Sequence, residues 1–340
     1  MLNFSAMLDL PLIWGVIIAM AIFLYVLLDG FDLGIGIIFP FAPSDKCRDR
    51  MMNSIAPFWD GNETWLVLGG GGLFAAFPLA YSILLPAFYI PIIVMLLGLI
   101  MRGVAFEFRF KAEGKMRRFW DYIFHFGSLI AGFFQGIILG SFVQGVKVDG
   151  RNFVGGPLDW VSGFSIMVGI AVVFGYALLG STWLVMKTED ITQEWSRKVA
   201  NYALIFVGIF MLLVSGIMPS LNEQIRIFWF ATPNFYFLLP IPLITIFLFV
   251  VLWRDLKNLK SEYRPFFSAI AIFLMGYFGI AISLYPWIVP FKYDIWQAAA
   301  SAPSLSLMLV GVVPMLPIIL SYTAYSYFIF RGKSGHEKLY

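Results

Sequence analysis

The chain has 340 residues, 60% of them hydrophobic and 13% charged, with 23 Lys and Arg against 20 Asp and Glu for a net charge of +3. Soluble domains carry about a quarter charged residues, so this composition, with its mean hydropathy of +0.85, excludes a soluble globular protein and describes a polytopic membrane protein. The small net charge gives no reason to expect a nucleic-acid partner, and a single cysteine, Cys47, excludes an internal disulfide, a Cys-based metal site and covalent haem attachment.

Hydropathy predicts an all-α membrane protein, one polytopic domain over residues 1–340. Its nine spans lie near 11–39, 58–77, 79–101, 120–144, 161–186, 199–218, 235–253, 266–286 and 304–330. The first basic residue is Lys46, so no cleaved signal peptide is expected. Span one carries Asp29 and Asp32 within Tyr25-Val-Leu-Leu-Asp-Gly-Phe-Asp-Leu-Gly-Ile-Gly36. An i,i+3 spacing puts both acids on one face, and Gly30 and Gly34 have the small-xxx-small spacing that admits a neighbouring helix. Solvation at the interface, or pairing with a nearby arginine, is the plainer account of these acids.

Span two opens with Asp60 and Glu63, again i,i+3, flanked by Trp59, Asn62 and Trp65. One acid at a helix N-terminus is explained by the macrodipole, worth about 0.3–1 kcal/mol; two acids set among indoles and an amide are explained less well. Gly69 to Gly72 follow, and with no Gly-Lys-Ser/Thr after them they are read as a packing surface rather than a phosphate loop. The uncharged run from Thr64 to Met101 would make one helix of about 57 Å, nearly twice the hydrocarbon thickness, so Pro78 is expected to mark a tight hairpin. Span three is followed by the loop 102–119, which opens with Arg102-Gly-Val-Ala-Phe-Glu-Phe-Arg109 and includes Glu107, and span four begins with Asp121 and His125. Pro240 and Pro242 leave the first turn of span seven undefined.

Nineteen of the 23 Lys and Arg residues fall in alternate loops and the C-terminal tail, and only Lys147, Arg151, Arg226 and Lys292 fall on the other side. The positive-inside rule then places the N-terminus outside and the C-terminus in the cytoplasm. With that orientation Asp29, Asp32, Asp60, Glu63, Arg102, Glu107, Arg109, Asp121 and His125 gather at the cytoplasmic ends of spans one to four. A one-sided proton inlet would look like this, and so would a well-anchored inner rim. The only histidines are His125 and His336, too few for several haems with paired histidine ligands; His125 is read as a structural or proton-relay residue. A cation-coupled secondary transporter is the alternative, but it would show inverted repeats and broken helices at the midplane. Neither is evident here.

The motifs of spans one to three, including Trp59-Asp-Gly-Asn-Glu-Thr-Trp65 and Gly-Gly-Gly-Gly-Leu-Phe-Ala-Ala-Phe-Pro78, resemble subunit II of cytochrome bd-type quinol oxidases. Gln135-Gly136, Gly175-Tyr-Ala-Leu-Leu-Gly180, Trp296-Gln-Ala-Ala-Ala300 and Tyr322-Thr-Ala-Tyr325 with Phe330-Arg-Gly-Lys333 extend the likeness along the chain. It is similar above all to the branch that includes cyanide-insensitive oxidases. The resemblance implies nine helices in two four-helix bundles plus one peripheral helix. It implies a haem-free subunit of a ubiquinol- or menaquinol-consuming complex in the bacterial inner membrane. Haem b and haem d, or a haem b variant, would sit in the partner, subunit I, which reduces oxygen to water with cytoplasmic protons and generates proton-motive force. A very small single-helix subunit and a structural quinone occur in some members. By motif position, the proton-path role carries over to Asp29 and Asp60. Glu63 is a further candidate, and Asp32, Arg102, Glu107 and His125 are supporting polar groups.

Overall fold

The computed structural model describes residues 8–335. Its helices are α1 (Leu10–Ile38), α2 (Asp45–Ile55), α3 (Trp59–Ala76), α4 (Pro78–Ala87), α5 (Tyr89–Lys111), α6 (Gly114–Gln144), α7 (Gly163–Lys187), α8 (Asp190–Leu221), α9 (Glu223–Phe230), α10 (Asn234–Leu238), α11 (Pro240–Lys257), α12 (Arg264–Leu284), α13 (Ile295–Ala298) and α14 (Ala302–Ile329). Two small antiparallel hairpins, β1 (Val148–Asp149) with β2 (Asn152–Phe153) and β3 (Trp287–Val289) with β4 (Tyr293–Asp294), lie between helices. Local sequence sets several starts. Asp9 accepts from the Leu12 N–H ahead of α1, Ser44 from the Cys47 N–H ahead of α2, and Ser162 with Ser165 forms a capping box on α7.

Among the described residues eight segments are long and apolar enough to cross a bilayer: α1, α5, α6, α7, α8, the α10–α11 stretch, α12 and α14. The expected second span, α3, has 18 residues, about 27 Å of helix, but its acids and four glycines keep it out of that set. The expected span at 79–101 is corrected outright. Phe77 leaves the helical region at φ −131° and ψ 63°, Pro78 starts the ten-residue α4, and the chain breaks again at Phe88. The second break falls where Pro91 has no N–H to offer the Ala87 carbonyl, which weakens the ladder between α4 and α5. The connection is therefore a short helix rather than a tight hairpin, and its Leu79, Ala80, Ile83 and Leu84 pack with Leu10, Trp14 and Val289. The membrane helix that follows runs to Lys111, so Arg102, Glu107 and Arg109 belong to α5 and not to a loop.

α1 lies at the centre, packed on α3, α6 and α7; α5 packs on α6, α6 on α7, and α7 on α8 and α12. Small residues permit the closest crossing. A Cβ at Gly34 would run into the Tyr176 carbonyl of α7, and one at Gly180 into the α1 backbone at Gly34 and Ile35. α14 rests more loosely on α1 and α3. Its far end is held by the segment after it: Ser334 N–H donates to the Lys187 carbonyl at 2.7 Å, Ser334 Oγ to Arg50 O at 3.0 Å, and Lys333 Nζ reaches Glu262 Oε2 at 2.7 Å.

Candidate functional site: a buried acid–arginine cluster

Asp29 and Asp32 are wholly buried on α1 at the end that faces α2. The i,i+3 spacing that aligned them in sequence delivers them to different partners. Arg102, nine residues inside the α5 terminus and about 14 Å along the helix from it, sets Nη1 2.5 Å from Asp29 Oδ1 and Nη2 3.2 Å from Glu63 Oε1. Asp32 is held from α3 instead: the Asn62 amide donates to its Oδ2 at 2.8 Å and to the Leu28 carbonyl at 3.2 Å. Tyr327 of α14 donates its hydroxyl to Asn62 Oδ1 at 2.8 Å, and its ring stacks on Phe58 with centroids 4.3 Å apart. Asn62 thus joins three helices.

On the other side of Asp29 the polar chain goes deeper between α1, α6 and α7. Tyr25 stands one helical turn before Asp29 on α1, Gln135 Nε2 donates to Tyr25 Oη at 2.6 Å, and Tyr176 Oη donates to Gln135 Oε1 at 2.5 Å. Asp29 Oδ2 and Asp32 Oδ1 receive no hydrogen bond from the described residues. The cluster therefore sets three carboxyl groups around one guanidinium.

Of the residues singled out in sequence, Asp29, Asp32, Glu63 and Arg102 come together here. Glu63 is the half-open member, with 26% of its side chain exposed. Asp60 lies at the rim: its side chain is exposed, yet it acts electrostatically on Glu63. Glu107 points away, on the exposed side of α5 with Val104 and Phe108. His125 is half-buried and separate from the cluster, with Nδ1 3.1 Å from the Gly36 carbonyl; since a carbonyl only accepts, Nδ1 carries the hydrogen. Arg109 and Asp121 form a second group nearer the helix ends. There Arg109 Nε bonds Asp121 Oδ1 at 2.5 Å, while Arg109 and Arg117 both pair with Asp49. His336 falls outside the described residues. Tyr25, Gln135, Tyr176 and Tyr327 were not foreseen as site residues. One signal was available, because an amide such as Gln135 inside an apolar span must find polar partners.

No group of three or more His, Cys, Asp and Glu side chains among the described residues is arranged to hold a metal. What fold and site define together is a multi-pass membrane protein whose chemistry-bearing groups are buried carboxyls around an arginine. The family model for cytochrome bd terminal oxidase subunit II matches residues 10–330. The chain belongs to that family and so is a subunit of an oxidoreductase complex with at least one partner subunit. It is 29% identical over 336 residues to cytochrome bd ubiquinol oxidase subunit 2 of Bacillus subtilis (strain 168), covering 96% of this chain and 97% of that protein. It is 27% identical over 366 residues to cytochrome bd-I ubiquinol oxidase subunit 2 of Escherichia coli (strain K12), covering 97% and 96%. A chain of the bd oxidase structure from Geobacillus thermodenitrificans superposes with a TM-score of 0.75 at 9% identity, over 95% of this chain and 98% of that one, a likeness of fold alone.

Proposed function

We propose that this chain is the haem-free subunit II of a quinol:oxygen oxidoreductase in the bacterial inner membrane. It stabilises the haem-bearing subunit I and contributes to proton uptake from the cytoplasmic side, with its N-terminus outside. Electrons come from ubiquinol or menaquinol, oxygen is reduced to water at haems of subunit I, and the reaction generates proton-motive force. The observation that carries the proton reading is the graded row of acids: Asp60 exposed, Glu63 half-open, Asp29 fully buried, with Arg102 bridging the last two. A row of carboxyls that exceeds the available cations, and opens at one end, is suited to passing protons inward.

The haem-free reading is supported by donor chemistry. His125 is the one histidine among the described residues, too few for several haems with paired histidine ligands. The surface for subunit I is supported by α3 itself. Asp60, Thr64, Val67, Gly71 and Phe74 form one exposed stripe, with Val67 74% exposed, and a Cβ at Gly70 or Gly71 would meet nothing within 4 Å. A carboxylate on such a stripe is costly against lipid and tolerable against protein, so the partner covers this face. The nine-helix arrangement follows with α3 as the ninth span.

The test replaces Asp29 by Asn in the assembled oxidase. Normal haem absorbance with slowed oxygen consumption is the expected result. Unchanged haem and unchanged turnover would remove Asp29 from the proton path, and loss of haem would make its role structural.

A further inference from the structure

We propose that the N-terminal end of α6 holds the phosphate headgroup of an anionic phospholipid, with Lys115 and Arg118 as its cations. The site is separate from the acid–arginine cluster and does not depend on the proton reading. A cavity of about 350 Å³ opens there, lined by Asp45, Gly114, Lys115, Arg117, Arg118 and Asp121. Both lining carboxylates are already neutralised by arginines outside the lining, Asp45 by Arg48 and Asp121 by Arg109 at 2.5 Å. Arg117 is paired in turn with Asp49, which also takes Arg109. Lys115 and Arg118 form no ion pair among the described residues. Five cations thus meet three carboxylates, and the two positive charges left over line the cavity from the first turns of α6. No side chain caps α6, so the first N–H groups of the helix add to the pull on an anion.

The rest of the helix face marks that anion as a lipid headgroup. At 3.6 residues per turn, Lys115, Arg118, Phe119, Tyr122 and Phe126 fall within an arc of about 100°. All five are exposed, the three aromatic side chains by about half. The face is therefore cationic where α6 begins and aromatic beyond, as the helix enters its apolar stretch. Basic groups at headgroup level and amphipathic rings at the membrane boundary suit a phospholipid standing along the helix. Its phosphate sits on Lys115 and Arg118, and its acyl chains run over Phe119 and Phe126. A free phosphate would use the two cations and leave the exposed rings without a partner.

The experiment uses the whole oxidase in detergent and a phosphatidylglycerol that carries a photoreactive group in its acyl chain, followed by mapping of the labelled peptides. Label should fall within residues 119–126. Unlabelled phosphatidylglycerol should compete for it, while phosphatidylcholine and inorganic phosphate should not. The double variant Lys115→Gln with Arg118→Gln should raise the probe concentration for half-labelling by roughly thirtyfold, about fivefold for each cation removed. Lys115→Arg with Arg118→Lys, which keeps both charges, should restore labelling. Haem absorbance reports assembly; if the double glutamine variant fails to assemble, Lys115→Gln alone carries the test with its fivefold rise. Equal labelling of 119–126 by a phosphatidylcholine probe overturns the inference, as does unchanged half-labelling in the glutamine variants, since lipid would then be present without headgroup recognition. Displacement by inorganic phosphate alone would make this a phosphate site and overturn the lipid assignment. Label found elsewhere on the subunit but absent from 119–126, the result of a protein partner covering this face, overturns it as well.

Discussion

Arg102 sits 2.5 Å from Asp29 with both side chains shut away from solvent, at 2% and 0% exposure. Ions taken out of water lose hydration, and a close partner offsets the loss only while both are present. The pair therefore ties α5 to α1 conditionally, and its geometry matters more than its net contribution.

Removing one partner should be worse than removing both. Arg102→Met leaves Asp29 buried without a cation and should destabilise the subunit by about 3–5 kcal/mol. Adding Asp29→Leu to Arg102→Met should return at least ~1 kcal/mol of that loss, since contacting residues are coupled. Thermal unfolding of the purified complexes in a double-mutant cycle measures this. A double variant as unstable as the sum of the singles would show that the two residues do not form a working pair.

Asp60→Asn separates assembly from turnover. Asp60 is exposed within this chain and forms no ion pair among the described residues, so the substitution should change subunit stability by no more than about 0.5 kcal/mol. Haem absorbance stays normal while oxygen consumption falls, because the outermost carboxyl of the row is gone. Equal oxygen consumption in the two proteins would take Asp60 out of the path.

Glycines on different faces should answer differently to the same kind of change. At Gly34 an added Cβ strikes the Tyr176 carbonyl, so Gly34→Ala forces α1 and α7 apart at a cost of about 1–3 kcal/mol and reduces the yield of folded subunit. At Gly71 there is open space, so Gly71→Phe leaves the isolated subunit folded but obstructs the α3 stripe. Co-purification of subunit I reads the second effect. Full recovery of subunit I with Gly71→Phe would place the partner elsewhere.

The sequence made the membrane class and the acids legible because both depend on local spacing. Asp29 and Asp32 had to share a face of one helix, and charge-free stretches had to be apolar spans. Hydropathy alone could not find the break at Phe88, since α4 is as apolar as the helices around it and only Pro91 betrays the interruption. Nor could it rank Asp60 against Glu63. Their i,i+3 spacing leaves them about 60° apart around the helix, given 3.6 residues per turn, and the rotation of α3 against α1 turns Glu63 toward Arg102 and Asp60 outward. The four glycines read as a single packing surface divide in the same way: Gly69 and Gly72 face Ile22 and Ile18 of α1, with Cβ distances of 3.2 and 3.1 Å, while Gly70 and Gly71 face outward. Tyr25, Gln135, Tyr176 and Tyr327 come from four helices, and their meeting is a tertiary fact.

The segment after α14 should come loose in acid. Glu262, in the turn before α12, is held below the usual carboxylate range by its hydrogen bond from Lys333, and after that by Gln193. A group with a depressed folded value adds stability above its unfolded value and loses it as pH falls through the folded one. The contact is therefore intact at neutral pH and weakens below the ordinary glutamate range, where protonated Glu262 no longer attracts Lys333. Other ties, among them Lys187 to the Gly332 carbonyl at 2.6 Å, Lys333 to the Thr188 carbonyl at 3.2 Å and Ser334 to Lys187 and Arg50, depend on the same segment staying in place. Protease cleavage after Arg331 or Lys333 should stay slow in the wild type on mild acidification and rise only once the pH falls below the ordinary glutamate range. In Lys333→Ala, cleavage after Arg331 should be faster at neutral pH and vary little with acid. Identical pH dependence of cleavage after Arg331 in the two proteins would show that the Glu262–Lys333 contact does not hold the segment.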